Sequence, residues 1–323
     1  MTHQQEQPSV FYSPAQMQQI AQNAQQPQEQ PVPFSTSAAE MKKIAQNRPP
    51  QLINGFLPAE GVAVLAGAPG TGKSFTALSW AAAVAEGRNW NGRKTNQTRV
   101  VYILGEGYGS FGERIAAWET VNGRPMPEGL RFVNGLQHNI DLKDSYAVEQ
   151  LIQQLMNEWP GLIIFDTFSV LARVTNENDN AEVATVMANI HKIVQATNAT
   201  ALLIHHLTKS SGTVRGASAF VGNADTVVIA ARNRDEKTPG DFLLSTDAYH
   251  GGKQRDGKPV TMNGFSIESP GVLAHNTGNS GTYYPDPNSE EIKQKIAEAR
   301  ERAIAAVIAE QQSNNEDNED KEN

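Results

Sequence analysis

Eight consecutive residues, Gly67-Ala68-Pro69-Gly70-Thr71-Gly72-Lys73-Ser74, fit the spacing G-x-x-x-x-G-K-[ST]. The chemistry open to such a run is the binding of a polyphosphate. Successive backbone N–H groups must approach a pyrophosphate closely, and side chains at positions 67, 70 and 72 would obstruct that approach. A helix starting directly after the glycines points the positive end of its dipole at the same phosphates. Lys73 is then placed to reach the β- and γ-phosphates and the Ser74 hydroxyl to bind Mg²⁺. Phe75 completes the candidate binding stretch, residues 67–75. The cofactors expected are ATP and Mg²⁺.

Two carboxylates are of the right type to complete a phosphoryl-transfer site. Asp166 directly follows the apolar run 162–165 (LIIF), and a parallel sheet presents the C-terminal ends of its strands to ligands. An acid there suits coordination of Mg²⁺ through water. Glu106 follows the run 100–104 within Leu104-Gly105-Glu106-Gly107, where flanking glycines leave its side chain room. It suits a general base that orients and deprotonates the attacking water, the alternative being a solvated loop acid. The pair His205-His206 ends the run 201–204. One of the two senses the γ-phosphate, or both are ordinary hydrogen-bonded histidines, or they ligate a metal; for the last, no third ligand lies at suitable spacing.

The elements that must position these groups are readable as hydrophobic runs. Strands are expected over residues 62–65, 99–104, 162–165 and 201–204, each built on a continuous apolar run (100–104 in the second), as strands buried on both faces of a parallel sheet are. Helices are expected over 73–86, stopped by Gly87, and over 110–120, 147–158 and 181–197. Residues 226–230 and 241–246 read as added strands. Strands alternating with helices give an α/β fold with a mostly parallel, doubly wound sheet.

The ends of the chain differ in composition. Eleven Gln lie between Gln4 and Gln30, with few residues able to form a core, so residues 1–33 read as disordered. Within them the segment 13–23 (SPAQMQQIAQN) recurs as 37–47 (SAAEMKKIAQN), each copy after an aromatic, Phe11 or Phe34. Each copy makes a short helix with a Met/Ile stripe, too short to be stable alone; it is a duplicated linker or a docking element. Residues 289–307 read as one amphipathic helix after an N-cap at Ser289. The expected organisation is an arm at 1–50, an ATPase core at 51–285, a helix within 286–312 and a disordered acidic tail at 313–323. The formal charge is −8, of which the stretch from Glu316 to Glu322, with five acids and one Lys, supplies half, so any polyanion site is local to loops. The absence of cysteine excludes disulfides and thiolate metal sites. With no apolar run of bilayer length and no apolar leader at the N-terminus, a cytoplasmic protein with no membrane association is expected.

An ordered series of motifs resembles the RepA-like hexameric replicative helicases and the phage or plasmid ATPases of the RecA superfamily. It runs from about Leu52 to Ala230: residues 57–61 (LPAEG), the glycine-rich loop, Gly105-Glu106-Gly107 with 114–118 (RIAAW), Asp166-Thr167 with Glu177-Asn178, 205–209 (HHLTK) and 215–219 (RGASA). The resemblance implies a RecA-like P-loop NTPase core, nucleotide roles for Lys73, Ser74, Glu106, Asp166 and His206, and a DNA-facing or inter-subunit loop bearing Lys209 and Arg215. Residues 253–259 (KQRDGKP) are similar to the Lys-x-Arg stretch of DnaB-type helicases. That similarity implies that Lys253 and Arg255 reach a neighbouring subunit's γ-phosphate; a solvated basic turn is the alternative. The function implied is an oligomeric, hexameric ring ATPase translocating on single-stranded DNA and unwinding duplex, with a replication or recombination protein as a further partner through the acidic tail. Two alternatives stand beside it. One is a RecA-like recombination or annealing ATPase, suggested by the similarity of Phe34-Ser35-Thr36-Ser37 to the recombinase oligomerisation motif Phe-x-x-Ala, although Ser replaces Ala. The other is a nucleotide-switched regulatory ATPase without DNA binding.

Overall fold

Four of the expected apolar runs become adjacent strands of one sheet. In the computed structural model, which describes residues 35–176, 179–207, 217–233, 240–268 and 271–275, they are β1 (Gly61–Gly67), β2 (Val100–Leu104), β4 (Leu162–Asp166) and β5 (Thr200–His206). The strands β3 (Leu130–Asn134) and β6 (Thr226–Arg232) extend the parallel set to the order β6-β1-β5-β4-β2-β3. Beyond β6 the direction alternates. The strands β7 (Phe242–Ser245), β9 (Thr261–Glu268) and β10 (Val272–His275) continue the sheet antiparallel to one another, and the short β8 (Lys253–Gln254) pairs with β6. The mostly parallel α/β sheet read from the sequence is present, with an antiparallel flank added to its β6 side.

The helices of this unit are α2 (Lys73–Glu86), α3 (Tyr108–Asn122), α4 (Ser145–Glu158), α5 (Phe168–Ala172), α6 (Asn180–Thr197) and α7 (Ala217–Asn223). They divide the core into two layers, and the period-2 alternation of the strands decides which side chain joins which layer. Val100, Tyr102, Leu104, Leu162, Ile164, Leu202 and Ile204 face the layer of α2. Val101, Ile103, Ile163, Phe165, Ala201 and Leu203 face the layer of α4 and α6. Helix α2 stops where expected, because Gly87 takes φ 71° and its N–H reaches back to the carbonyls of Ala83 and Val84.

The chain divides into two compact units, Met1–Arg48 and Pro49–Asn323. In the first, the second repeat copy forms the helix α1 (Ala38–Gln46), begun by a reciprocal capping box between Ser37 and Glu40. None of its residues is buried. The first repeat copy, the helix expected over 289–307 and the acidic tail lie outside the described residues. Among the described residues, no helix is long and apolar enough to cross a membrane.

Candidate functional site

The glycine-rich loop leaves the C-terminal end of β1 and runs straight into α2, whose first residue is Lys73. Gly70 and Gly72 take φ 78° and 65°, left-handed values that a side chain would strain. A β-carbon on Gly67 would lie 2.7 Å from the Ala230 carbonyl oxygen. One on Gly72 would lie 2.7 Å from Phe242 Cζ and 3.0 Å from Ile267 Cδ1, because the antiparallel flank packs beneath the loop. Thr71 closes the turn by donating to the Ala68 carbonyl. The Lys73 ammonium donates to the carbonyls of Gly67 and Ala68 at 3.0 and 2.9 Å. Burial lowers its pKa to about 8, with the Asp166 charge opposing the shift. At the lip of the loop, Arg232 at the end of β6 donates to the Pro69 carbonyl at 3.4 Å.

Asp166 is the last residue of β4 and faces the α2 layer, like Tyr102 on the neighbouring β2. The Tyr102 hydroxyl donates to Asp166 Oδ2 at 2.6 Å, and the Ser74 hydroxyl also hydrogen-bonds to this carboxylate. Burial raises the pKa of Asp166, while the two hydroxyl donors and the Arg114 charge act against burial. Tyr102 is held well above its ordinary range, chiefly by burial and then by the Asp166 charge. Glu106 stands two residues beyond β2, exposed, and faces a cavity of about 270 Å³ that Ser74, Phe111, Arg114 and Asp166 also line. The Arg114 guanidinium lies 4.7 Å from the Phe75 ring centre and 5.3 Å from that of Phe111. Phe75 thus offers its ring to Arg114 at the edge of this cavity. A Mg²⁺ ion fits the donors present: a hydroxyl and a carboxylate, both hard oxygen ligands, already converge within one hydrogen bond of each other beside the phosphate loop.

Alternation separates the two histidines. His206 stands opposite Gly67 in the β1–β5 pairing, with the parity of the α2 layer. His205 points into the other layer, fully buried, with its ring 4.6 Å from Phe220 and 5.6 Å from Phe168. Among the described residues, no group of three or more His, Asp or Glu is arranged to hold a metal ion.

Lys253 and Arg255 lie at the opposite edge of the sheet. Lys253 pairs with Val227 and Arg255 follows at the level of Asp225, five residues before Ala230, which stands beside Gly67. That is about 16 Å along the strand from the phosphate loop. The Lys253 ammonium donates to the carbonyls of Val221, Gly222 and Ala224 at the end of α7. Arg255 pairs with Asp225, which also accepts from the Val62 N–H, and its side chain remains 61% exposed. Lys209 and Arg215 fall outside the described residues, as do Glu177 and Asn178.

Three residues at the phosphate-loop edge carry no role in the sequence reading: Tyr102, Arg232 and Arg114, the last quoted there only as the first residue of the motif 114–118. Tyr102 shares strand parity with Leu104, and Arg114 shares a helix face with Phe111 and Trp118, so both signals were present. Arg232 reaches the loop only because β6 lies beside β1, a pairing that no local pattern shows.

A family model described as an AAA domain matches residues 26–212. Among solved structures, a KaiC-like protein from the hyperthermophilic archaeon Pyrococcus horikoshii OT3 is 16% identical with a TM-score of 0.45, covering 69% of this chain and 93% of that one. An ATPase domain of a second protein is 12% identical with a TM-score of 0.49, covering 70% and 91% respectively. No curated protein matches the chain.

Proposed function

The chain belongs to the AAA domain family, and from that premise we propose that it is an oligomeric, ring-forming DNA motor of the RepA-like helicase type, driven by ATP hydrolysis at the C-terminal edge of its sheet. It is a P-loop ATPase domain in fold. In the proposed site Lys73 and residues 67–75 hold the triphosphate, Ser74 and Asp166 hold Mg²⁺, Glu106 acts as base on the water, and His206 reports the γ-phosphate to the segment that follows β5.

The observation that carries the oligomeric part of the reading is the separation of the two edges. Arg255 is an exposed cation too distant along the sheet to serve its own phosphate loop. A cation offered across an interface stabilises charge in phosphoryl transfer and makes turnover depend on assembly. Arg255 is the better candidate of the pair, because Lys253 directs its ammonium at its own backbone. Helix α1, with Met41 and Ile44 exposed, supplies a tether in the same assembly. Lys209 and Arg215 provide the sequence-tolerant phosphate contacts to single-stranded DNA. The tail after residue 313 competes with DNA for them or receives a basic replication or recombination protein. The arm, core, helix and tail divisions at 50, 285 and 312 belong to this reading.

The test is ATP hydrolysis with and without single-stranded DNA, together with strand displacement on a forked duplex. DNA-stimulated hydrolysis with displacement supports the motor. Hydrolysis indifferent to DNA points to a regulatory ATPase instead. Images with an ATP analogue that show open filaments rather than closed rings point to a recombinase.

A further inference from the structure

Tyr102 is wholly buried, yet its hydroxyl is not spent on a main-chain group as most buried side-chain donors are. It donates to Asp166 Oδ2 at 2.6 Å, the length of a charge-assisted O–H···O⁻ bond. The ring has no freedom to choose another partner. Phe111 packs at 5.2 Å between ring centres and Phe132 at 5.9 Å. The acceptor is itself 4% exposed and ends β4, the strand paired with Tyr102's own β2. Ser74 reaches the same carboxylate from the first turn of α2.

We propose that Tyr102 is a positioning residue that fixes the plane of the Asp166 carboxylate for Mg²⁺ and thereby sets the protein's affinity for the metal–nucleotide complex over the nucleotide alone. The inference rests on the reading of this edge as a Mg²⁺–ATP site. A neutral hydroxyl can orient an anion without cancelling the charge that attracts the cation, which an arginine or lysine in its place would do. A single donor on Oδ2 leaves carboxylate lone pairs for the metal's water shell. It also ties two placements together. Tyr102 lies on the strand that runs directly into Glu106, so the hydrogen bond connects the metal-binding acid to the segment bearing the candidate base. Outer partners of this kind, which never touch the metal, commonly change metal affinity or activity by about 10–100-fold when removed.

The experiment uses the full chain and a fluorescent, non-hydrolysable ATP analogue. Its affinity is measured in EDTA and across a Mg²⁺ titration. For Tyr102→Phe, the affinity in EDTA should stay within about twofold of wild type, while the Mg²⁺ concentration for half-maximal tightening should rise about tenfold or more. In steady-state hydrolysis the loss should appear in the half-saturating Mg²⁺ and recover at high Mg²⁺. Phe132→Leu, which loosens the packing around the ring but keeps the hydroxyl, should lower the melting temperature and leave the Mg²⁺ dependence in place. In wild-type protein, a slowly exchanging hydroxyl proton with contacts to the Tyr102 ring should persist in NMR spectra after Mg²⁺ and the analogue are added. This last measurement stands even if Tyr102→Phe does not fold. An unchanged Mg²⁺ dependence in Tyr102→Phe, an equal shift in Phe132→Leu, or loss of the hydroxyl signal on adding Mg²⁺ would each overturn the assignment. A wild-type protein whose affinity for the analogue ignores Mg²⁺ overturns the underlying site reading, and this inference with it.

Discussion

Lys73 and Lys253 each direct an ammonium at main-chain carbonyls of their own chain, Lys73 at Gly67 and Ala68, Lys253 at Val221, Gly222 and Ala224. Burial lowers the pKa of both. Their settings differ in sign. Lys253 meets the C-terminal end of α7, where the dipole is negative and the last carbonyls need donors, so its charge is matched by the fold. Lys73 is the first residue of α2, at the positive end of that helix, where a cation is disfavoured and an anion is wanted. Hydrogen bonds of one kind therefore describe a finished contact at one edge of the sheet and an unmet electrostatic demand at the other. A contact inventory does not separate the two cases; the direction of the nearest helix does.

The sharpest way to break this comparison is Lys73→Ala. Nucleotide affinity should fall by about 10²-fold or more, hydrolysis should become undetectable, and the melting temperature without nucleotide should hold or rise. Calorimetric titration with scanning calorimetry checks both, and a marked drop in melting temperature would make Lys73 a structural residue like its counterpart. Glu106→Gln should retain ATP binding while hydrolysis falls about 10²–10⁴-fold in a single-turnover assay. Normal hydrolysis by that variant would move the base elsewhere at the same edge.

Arg255→Ala tests whether the opposite edge has a function beyond structure. Turnover of the assembly should fall at least about tenfold, with nucleotide binding kept, as the loss of a cation supplied in trans predicts. Mixing that variant with Glu106→Gln should restore part of the activity, because some interfaces then hold both groups. Mixed oligomers without recovery would return Arg255 to the role of a surface partner for Asp225, a pairing worth about 0–1 kcal/mol at its exposure.

The pH dependence sharpens the comparison. Lys73 titrates at about 8 in the folded chain and at the ordinary 10.5 unfolded. Below about pH 8 both states hold the proton, so the penalty for the buried charge is fully present. Between 8 and 10.5 only the unfolded chain holds it, so the stability of the nucleotide-free protein should rise with pH, by about 1–3 kcal/mol from this group. Urea titrations from pH 7.5 to 10.5 in wild type and Lys73→Ala isolate the contribution, and equal slopes would refute it. The smallest effect expected is that of Lys253→Met, a loss of about 1–2 kcal/mol with nucleotide affinity unchanged.

Much of this site was legible from residue order. Lys73, Ser74 and Asp166 sit where a strand, a turn and a helix must place them, and alternation along residues 200–206 suffices to send His206 and His205 to opposite layers. What stayed hidden depends on distant pairing. The spacing of Lys253 and Arg255 is visible in the chain, but the three carbonyls that hold Lys253 belong to residues about thirty positions earlier. The strand β3, LRFVN, is short and carries Arg131, so it presents no continuous apolar run. The strand β9, TMNGFSIE, is only partly buried and is broken by Gly264, so its hydrophobic signal is diluted although Phe265 within it is wholly enclosed.

The packing of Phe242 and Ile267 beneath Gly72 sets a limit on how far the chain can be trimmed. A fragment ending at Arg232 would keep every residue assigned to phosphate, metal or base, and the whole of the matched segment 26–212. It would still lack the floor on which the phosphate loop rests, leaving the underside of Gly72 and the ring of Trp90, which stacks on Phe265 at 5.5 Å, open to water. A piece that keeps this floor therefore reaches through Ile267 on β9, some fifty-five residues past the last residue by which its family is recognised.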